Sequence, residues 1–358
     1  MSGSRGQMHR RTFIKTSAAA AVLTPASGAS ARGQSDSEAG NGGAIAFVWR
    51  PMISTRADIP ALNGHTDTIP DIVGSLGSRI DLAIFTEGNH FPALLGGGGI
   101  IDAFRSWVRT HSDYSALSID NIVIVTLPQP MIVGMLKGRG ISFGNLTLDV
   151  SRTSGFYPDI VMAGAAPLKE LHEASIVDAE ARVFARNQGF ALVVVAGNPL
   201  GIHHLDDLAR SDIRIVLASE SEPGARRQYI SAFEALLGPQ QTQTILARET
   251  VSFPGRLGIQ HRDVLHAVAI RAANAGIIFH HLALYYATAY PEICTMVQVP
   301  EASKFSSTIV MVPATDPLRA PAAKAFSEFF LSAARELYPR HGFATMSAAE
   351  YGAAIQLR

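Results

Sequence analysis

The chain has 358 residues, of which 47% are hydrophobic and 17% are charged, with 30 basic and 30 acidic side chains. This is the composition of a globular protein with enough chain for two domains. The formal net charge of zero excludes the strong field that would draw nucleic acid or an anionic membrane to the protein, so we expect neither as a partner. The single cysteine, Cys294, excludes an internal disulfide and any multi-cysteine metal site, and we expect it to pack in the core.

The N-terminal residues have the pattern of an export signal. Arg10 and Arg11 precede an uncharged, alanine-rich run and the small-residue sequence ASA that ends at Ala31. A basic start, a short apolar run and a small-residue cleavage site are typical of a signal peptide, and the paired arginines resemble the twin-arginine type. We therefore predict a twin-arginine signal over residues 1–31 and a periplasmic protein without stable membrane insertion. Residues 32–77 are predicted to be a disordered linker and an N-terminal extension.

Beyond the extension, short apolar runs alternate with amphipathic segments. The predicted strands are 79–85, 121–127, 159–164, 190–197, 213–219, 275–280 and 307–313. Most of them lack apolar and polar alternation, which is typical of parallel strands covered on both faces. The predicted helices are 100–111, 226–238, 262–276 and 320–338, and Gly238 and Gly276 are expected to end two of them. This alternation predicts an α/β fold with right-handed crossovers.

Several stretches carry a family resemblance when they are taken together and in order. A predicted strand that runs into a short helix has the sequence YPDIVMAGAAPLKELHEASIV. A second stretch contains a strand, a Gly-Asn-Pro turn and a helix start, and its sequence is ARVFARNQGFALVVVAGNPLGIHHLDDLA. A third stretch reads as strand, loop and helix and has the sequence IRIVLASESEPGARRQYISAFEALLG. The last two stretches are AGIIFHHLAL and AKAFSEFFLSAARELYPRHGF. Together they resemble the type II periplasmic substrate-binding proteins of ABC importers, and among these the molybdate-binding-like branch. The resemblance covers residues 78–345.

The resemblance implies a two-lobed α/β protein in which each lobe is a mainly parallel sheet flanked by helices. Two crossover strands would join the lobes. Lobe one would contain residues 78–187 and 300–358, and lobe two would contain residues 188–299. The family's function implies capture of a small ligand in the cleft between the lobes and delivery to an inner-membrane ABC permease. We accordingly expect a monomer that is not an enzyme and that requires no cofactor.

The resemblance also implies which loops face the ligand, in agreement with the rule that α/β sheets bind ligands beyond the carboxyl ends of their strands. The residues assigned to this site are Thr86, Glu87, Gly88, Asn89 and His90 after the first strand, Pro128 and Gln129 after the second, Glu222, Gly224 and Arg226 at one helix start, His261 and Arg262 at another, and Phe279 and His281 after the return strand. Oxyanion-binding members rely on hydroxyl groups and backbone N–H groups in an uncharged pocket. A carboxylate such as that of Glu87 would repel a buried oxyanion, which argues against molybdate.

Three classes of ligand remain open. A divalent metal would select imidazole and carboxylate groups, and the candidate metal set is Glu87, His90, His261 and His281. A polar or carboxylate-bearing organic solute would accept hydrogen bonds from the histidines and from Arg226 or Arg262, while Glu87 accepted from its hydroxyls. An oxyanion is the third class. The alternative function is a metal-dependent enzyme or a metal-binding chaperone on the same fold, although the sequence has no nucleophile elbow, phosphate loop or His-Glu-x-x-His pattern.

Overall fold

A computed structural model describes residues 69–95, 98–143, 146–252 and 259–358. All of them belong to one compact unit. The predicted signal peptide and most of the predicted linker, residues 1–68, lie outside the described residues. None of the described helices is long and apolar enough to cross a membrane.

Strands and helices alternate along most of this chain. The strands are β1 (Ile72–Val73), β2 (Leu82–Thr86), β3 (Ile122–Thr126), β4 (Gly140–Phe143), β5 (Leu146–Asp149), β6 (Ile160–Ala163), β7 (Glu180–Arg186), β8 (Phe190–Val195), β9 (Ile215–Val216), β10 (Ala275–Phe279), β11 (Cys294–Val297), β12 (Thr308–Pro313) and β13 (Ala354–Gln356). The α-helices are α1 (Phe91–Leu95), α2 (Ile100–Thr110), α3 (Gln129–Gly138), α4 (Ala165–Glu173), α5 (Pro223–Leu237), α6 (Pro239–Leu246), α7 (His261–Ala269), α8 (His280–Ala289) and α9 (Ala320–Leu337). Short 3-10 helices cover Gly88–His90, Leu205–Ala209, Pro300–Phe305 and Tyr338–His341.

Two sheets divide the protein into two lobes. Lobe one is built on a seven-stranded sheet with the order β1-β3-β2-β6-β12-β7-β13, and lobe two on a four-stranded sheet with the order β11-β8-β10-β9. In lobe one, β2 runs parallel to β3 and β6, whereas the remaining pairs are antiparallel. In lobe two, β10 runs parallel to β9 and antiparallel to β8, and β11 is antiparallel to β8. The sheets are therefore mixed, which corrects the expectation of mainly parallel sheets.

Apolar side chains cover both faces of each sheet. In β2, Leu82 and Ile84 point into one core of lobe one, while Ala83 and Phe85 point into the core on the opposite face. Successive side chains of a strand alternate between faces, so a strand buried on both sides must be apolar throughout. This is why β2 reads as a continuous apolar run, and β8 and β10 are buried on two sides of lobe two in the same way.

The chain passes between the lobes at two crossovers that lie side by side. The first connects β7 to β8 and the second connects β11 to β12. The N–H of Asn187 donates to the carbonyl oxygen of Ser307 at 3.0 Å, and the N–H of Ser307 donates to Oδ1 of Asn187 at 2.9 Å. Gly189 has a φ of +72°, and a Cβ there would lie 1.9 Å from the carbonyl oxygen of Ala302. Only glycine fits this close approach of the two crossovers.

Several details differ from the sequence-based expectations. The helix predicted over 262–276 ends at Ala269, because Arg271 already adopts the left-handed conformation at a φ of +61°. Gly276 lies inside β10 instead, where a Cβ would come within 2.2 Å of Cγ1 of Val264. The last part of the predicted extension forms β1, which pairs with β3 and makes one edge of the lobe-one sheet. Cys294 is buried, as expected.

Candidate functional site

A cleft of about 850 Å³ opens between the two lobes. Lobe one contributes the loops that follow β2, β3 and β6, and lobe two contributes the residues that open α5 and α7. Of the residues predicted for the site, the cleft lining contains Glu87, Gly88, Asn89, Pro128, Gln129, Glu222, Gly224, His261, Arg262 and Phe279. The carboxyl ends of parallel strands meet at one sheet edge, which is why these loops lie together.

Two helices point their N-termini into the cleft from opposite lobes. Ala165 and Ala166 begin α4 in lobe one, and Gly224 and Ala225 lie in the first turn of α5 in lobe two. Their four backbone N–H groups have no acceptor among the described residues. Free N–H groups and the helix dipole make such ends favourable places for an anion. The cleft therefore offers two facing sets of hydrogen-bond donors.

The pair formed by Glu87 and Asn89 lies on the lobe-one side of the cleft. Nδ2 of Asn89 donates to Oε2 of Glu87 at 2.8 Å, but Oε1 of Glu87 and Oδ1 of Asn89 are buried with no partner in the described structure. Burial raises the pKa of the Glu87 carboxyl to about 7, against the opposing effect of the Asn89 hydrogen bond. Both protonation states of Glu87 are thus accessible near neutral pH.

His261 is fixed in place by two hydrogen-bonding partners. Its Nδ1 lies 2.6 Å from Oε2 of Glu222, and its Nε2 lies 2.5 Å from the hydroxyl of Tyr229. The backbone N–H of His261 also donates to Glu222, at 2.9 Å. Burial opposes ionisation of Glu222, but His261 outweighs it and lowers the pKa of that carboxyl below its ordinary value. With both ring nitrogens engaged, His261 presents its ring to the cleft and has no free nitrogen for a metal.

The two arginines predicted to donate to the ligand are occupied elsewhere. Arg262 is buried and reaches from lobe two to the Asp71 carboxylate and to the carbonyl oxygens of Ile69 and Thr126 in lobe one. Arg226 does not line the cleft, because it forms a bidentate pair with Glu249 at 2.7 and 2.8 Å. Arg262 is therefore a bridge between the lobes, and Arg226 stabilises lobe two.

Arg227, the next residue along α5, is the cation that sequence reasoning missed. Its side chain is exposed and lines the cleft, with no ion pair or hydrogen bond to another described residue. Lys137 of α3 also lines the cleft, but it pairs with Glu170 of α4 at 2.7 Å. Successive helix residues point about 100° apart. Knowing which face of α5 packs on lobe two would have separated Arg226 from Arg227.

Five rings form a stacked column that starts behind the cleft wall and ends in the cleft lining, in the order His90, Phe343, His281, Phe279 and His261. The successive ring centroids are 5.5, 4.0, 5.6 and 4.7 Å apart, and the interplanar angles are 21° or less. His90 and Phe343 belong to lobe one, and the other three belong to lobe two. Burial lowers the pKa of His90 to about 3 and that of His281 well below its ordinary value, so both imidazoles are neutral.

His90, His281 and Thr86, all predicted for the site, do not line the cleft. Thr86 and His90 are fully buried and His281 is 2% exposed. His280, the neighbour whose orientation the sequence left open, contacts the carbonyl oxygen of Gly342 through Nδ1 at 3.0 Å. The turn at residues 338–343, which comes from far along the chain, packs against His90 and His281.

The candidate metal set of Glu87, His90, His261 and His281 is not brought together. Within residues 69–95, 98–143, 146–252 and 259–358, no three His, Cys, Asp or Glu side chains are placed to hold a metal ion. Two of the four lie behind the wall, and the nitrogens of His261 are already occupied. The described residues therefore do not fit a transition metal at this cleft.

Comparison with known proteins identifies the family. Residues 142–344 match the model of the bacterial extracellular solute-binding protein family. The chain belongs to this family. Its members are extracellular solute-binding proteins. No curated protein matches the chain.

Solved structures share the fold of this solute-binding protein. The sulfate-binding protein SubI from Mycobacterium tuberculosis is 16% identical with a TM-score of 0.53, over 75% of this chain and 88% of its own. The periplasmic molybdate-binding protein of Azotobacter vinelandii is 14% identical with a TM-score of 0.50, over 74% of this chain and 100% of its own. At these identities the likeness concerns the type II periplasmic binding fold.

Proposed function

We propose that this protein captures a small organic anion between its lobes and delivers it to an inner-membrane ABC permease. The observation that carries the proposal is the cleft itself, where the N-termini of α4 and α5 face each other beside the exposed guanidinium of Arg227. Backbone N–H groups and an arginine are the usual means of holding a carboxylate. The periplasmic location that the family implies places such a ligand outside the inner membrane, where an importer takes it up.

The size and lining of the cleft favour an organic anion over an inorganic oxyanion. A volume of about 850 Å³ is in the range used for organic ligands. Apolar side chains, among them Val133, Phe279 and Leu282, share the lining with the polar groups. A tetrahedral oxyanion would leave most of this apolar surface uncovered. The arrangement of Glu87 and the histidines gives no support to a metal-dependent enzyme or chaperone.

Thermal-shift and native mass spectrometry measurements on the exported protein test the ligand class. Organic carboxylates should raise the melting temperature, whereas sulfate, molybdate and divalent metals should leave it unchanged. A bound organic mass after mild purification would agree with this result. Stabilisation by an oxyanion or a metal, with no response to carboxylates, would overturn the proposal. Light scattering would test the proposed monomeric state.

Arg227 offers a sharper test with a matched control. Arg227→Met should weaken carboxylate binding about tenfold or more, because a charge-assisted hydrogen bond is lost. Arg335→Met removes an exposed arginine from α9, outside the cleft lining, and should change nothing. Equal affinities for both variants would exclude Arg227 from the site.

Export and delivery need experiments of their own. Replacing Arg10 and Arg11 by lysines should keep the protein in the cytoplasm if the twin-arginine signal operates. A permease gene next to this one, and loss of uptake when either gene is deleted, would support the importer role. Uptake that persisted without the binding protein would contradict it.

A further inference from the structure

Two buried acceptor oxygens at the cleft wall lack a donor. They are Oε1 of Glu87 and Oδ1 of Asn89, and neither has a hydrogen-bond partner in the described structure. Asn89 is only 8% exposed, and both residues line the cleft. A buried acceptor without a donor costs about 1–3 kcal/mol, so such atoms require an explanation.

A structural role as a helix cap does not account for Glu87. It precedes the short helix Gly88–His90, but its side chain makes no capping hydrogen bond. Among the described residues, Asn89 alone donates a hydrogen bond to this side chain, and that bond uses the carboxyl oxygen Oε2. The other oxygen, Oε1, is therefore left without a donor in a residue that lines the cleft.

The charged groups around Glu87 do not supply the missing donor. Glu222 and His261 face it from lobe two, and these two residues satisfy each other at 2.6 Å. Tyr229 lies behind them and hydrogen-bonds to His261. Arg262 approaches the adjacent Gly88, but its guanidinium is directed at Asp71 and Thr126.

We propose, as an extension of the proposed function, that Glu87 and Asn89 form a subsite for an N–H or O–H donor of the ligand. The ligand is then a small carboxylic acid that also carries an amine or a hydroxyl group. Its carboxylate lies at the N-termini of α4 and α5, and its donor group lies at Glu87 and Asn89. This arrangement satisfies the unpaired N–H groups and the unpaired oxygens at once. A fully deprotonated oxyanion has no donor and would leave Glu87 unpaired.

A series of matched acids tests the inference. We would measure the dissociation constants of straight-chain carboxylates from propanoate to hexanoate, and of their hydroxy and amino derivatives at each chain carbon. Wild type is compared with Glu87→Gln, which keeps the shape but removes the charge. The control is Glu173→Gln, an exposed carboxylate at the far end of α4 that does not line the cleft. Asn89→Leu provides a second variant if Glu87→Gln does not fold.

Wild type should bind at least one hydroxy or amino acid about tenfold or more tightly than the acid without the donor, as expected for a hydrogen bond to a charged group. Glu87→Gln or Asn89→Leu should reduce this preference, and Glu173→Gln should retain it. If acids with and without the donor bind equally, or if the preference survives both cleft variants, this inference is overturned while the proposed function stands. If no carboxylate of the series binds to wild type, the proposed ligand class fails as well.

Calorimetry distinguishes the amine from the hydroxyl. An ammonium group beside Glu87 stabilises the ionised carboxylate, so binding near pH 7 should release protons, and the heat should differ between phosphate and Tris buffers. A hydroxyl group should give nearly the same heat in both buffers. Proton release should disappear in Glu87→Gln. Proton release that persisted in that variant would show that another group titrates and would overturn the role of Glu87.

Discussion

The Glu87 carboxyl should destabilise the ligand-free protein, and this can be measured. Folding raises the pKa of Glu87 from 4.5 to about 7, because burial opposes ionisation. A change of one in a pKa corresponds to about 1.4 kcal/mol, so folding disfavours the ionised form of Glu87 by at most about 3–4 kcal/mol. Glu87→Gln removes the charge and should therefore stabilise the free protein at pH 8.

The pH dependence of the stability difference shows whether ionisation of Glu87 causes it. Between pH 4.5 and pH 7 the folded protein holds a proton on Glu87 that the unfolded chain has lost, so stability falls as the pH rises through this range. The destabilisation caused by the ionised Glu87 carboxylate is absent below pH 4.5 and constant above pH 7. The advantage of Glu87→Gln should accordingly be small at pH 4.5, grow with pH, and level off near pH 8.

Urea unfolding of the ligand-free protein at a series of pH values is the assay. The comparison between variant and wild type at each pH cancels the titration of all other groups. Glu173→Gln serves as the control and should follow the wild type throughout. A Glu87→Gln protein that is less stable at pH 8, or whose advantage does not change with pH, would refute the argument.

Three further changes have defined outcomes in urea unfolding. Asp71→Asn breaks the buried ion pair with Arg262 and should cost about 3–5 kcal/mol, whereas Asp316→Asn, in an exposed ion pair, should cost at most about 1 kcal/mol. Equal losses of stability in the two variants would contradict the argument that burial makes the first ion pair more important. Gly189→Ala should cost at least about 2 kcal/mol, because of its left-handed backbone and the facing carbonyl oxygen, and Gly77→Ala, with open space around it, should be nearly neutral. His90→Phe should reduce the acid sensitivity of the protein. The His90 pKa is lowered to about 3, so between pH 6.5 and pH 3 wild type loses up to about 1.4 kcal/mol of stability per pH unit through this residue. An unchanged acid sensitivity would show that His90 is not responsible.

The apolar runs located the central strands well, because burial on both faces leaves a strong signal. The run predicted over 121–127 became β3, and the run over 190–197 became β8. The missed strands have weaker signals: β7 carries charged side chains between its buried ones, and β1 has only two residues. Strand direction was not predictable, since it depends on how the chain returns to a sheet rather than on side-chain composition.

The loops that line the candidate cleft were predictable from the sequence, but the orientation of their side chains was not. The loop containing Glu87 lies at the cleft because carboxyl ends of parallel strands gather there. His90, three residues later, is covered by a turn from the C-terminal part of the chain, and local sequence holds no sign of that contact. The difference between Arg226 and Arg227 likewise depends on Glu249, which captures the first of them.

The column of stacked rings has a spectroscopic consequence. His281 lies between two phenyl rings, one from each lobe, at centroid distances of 4.0 and 5.6 Å. The circulating electrons of both rings shift the NMR resonances of its imidazole protons by amounts that depend steeply on these distances. Any rotation of one lobe against the other would slide Phe343 across His281 and move those resonances. The imidazole resonances of His281 would therefore report a change in the relative orientation of the two lobes without an attached label.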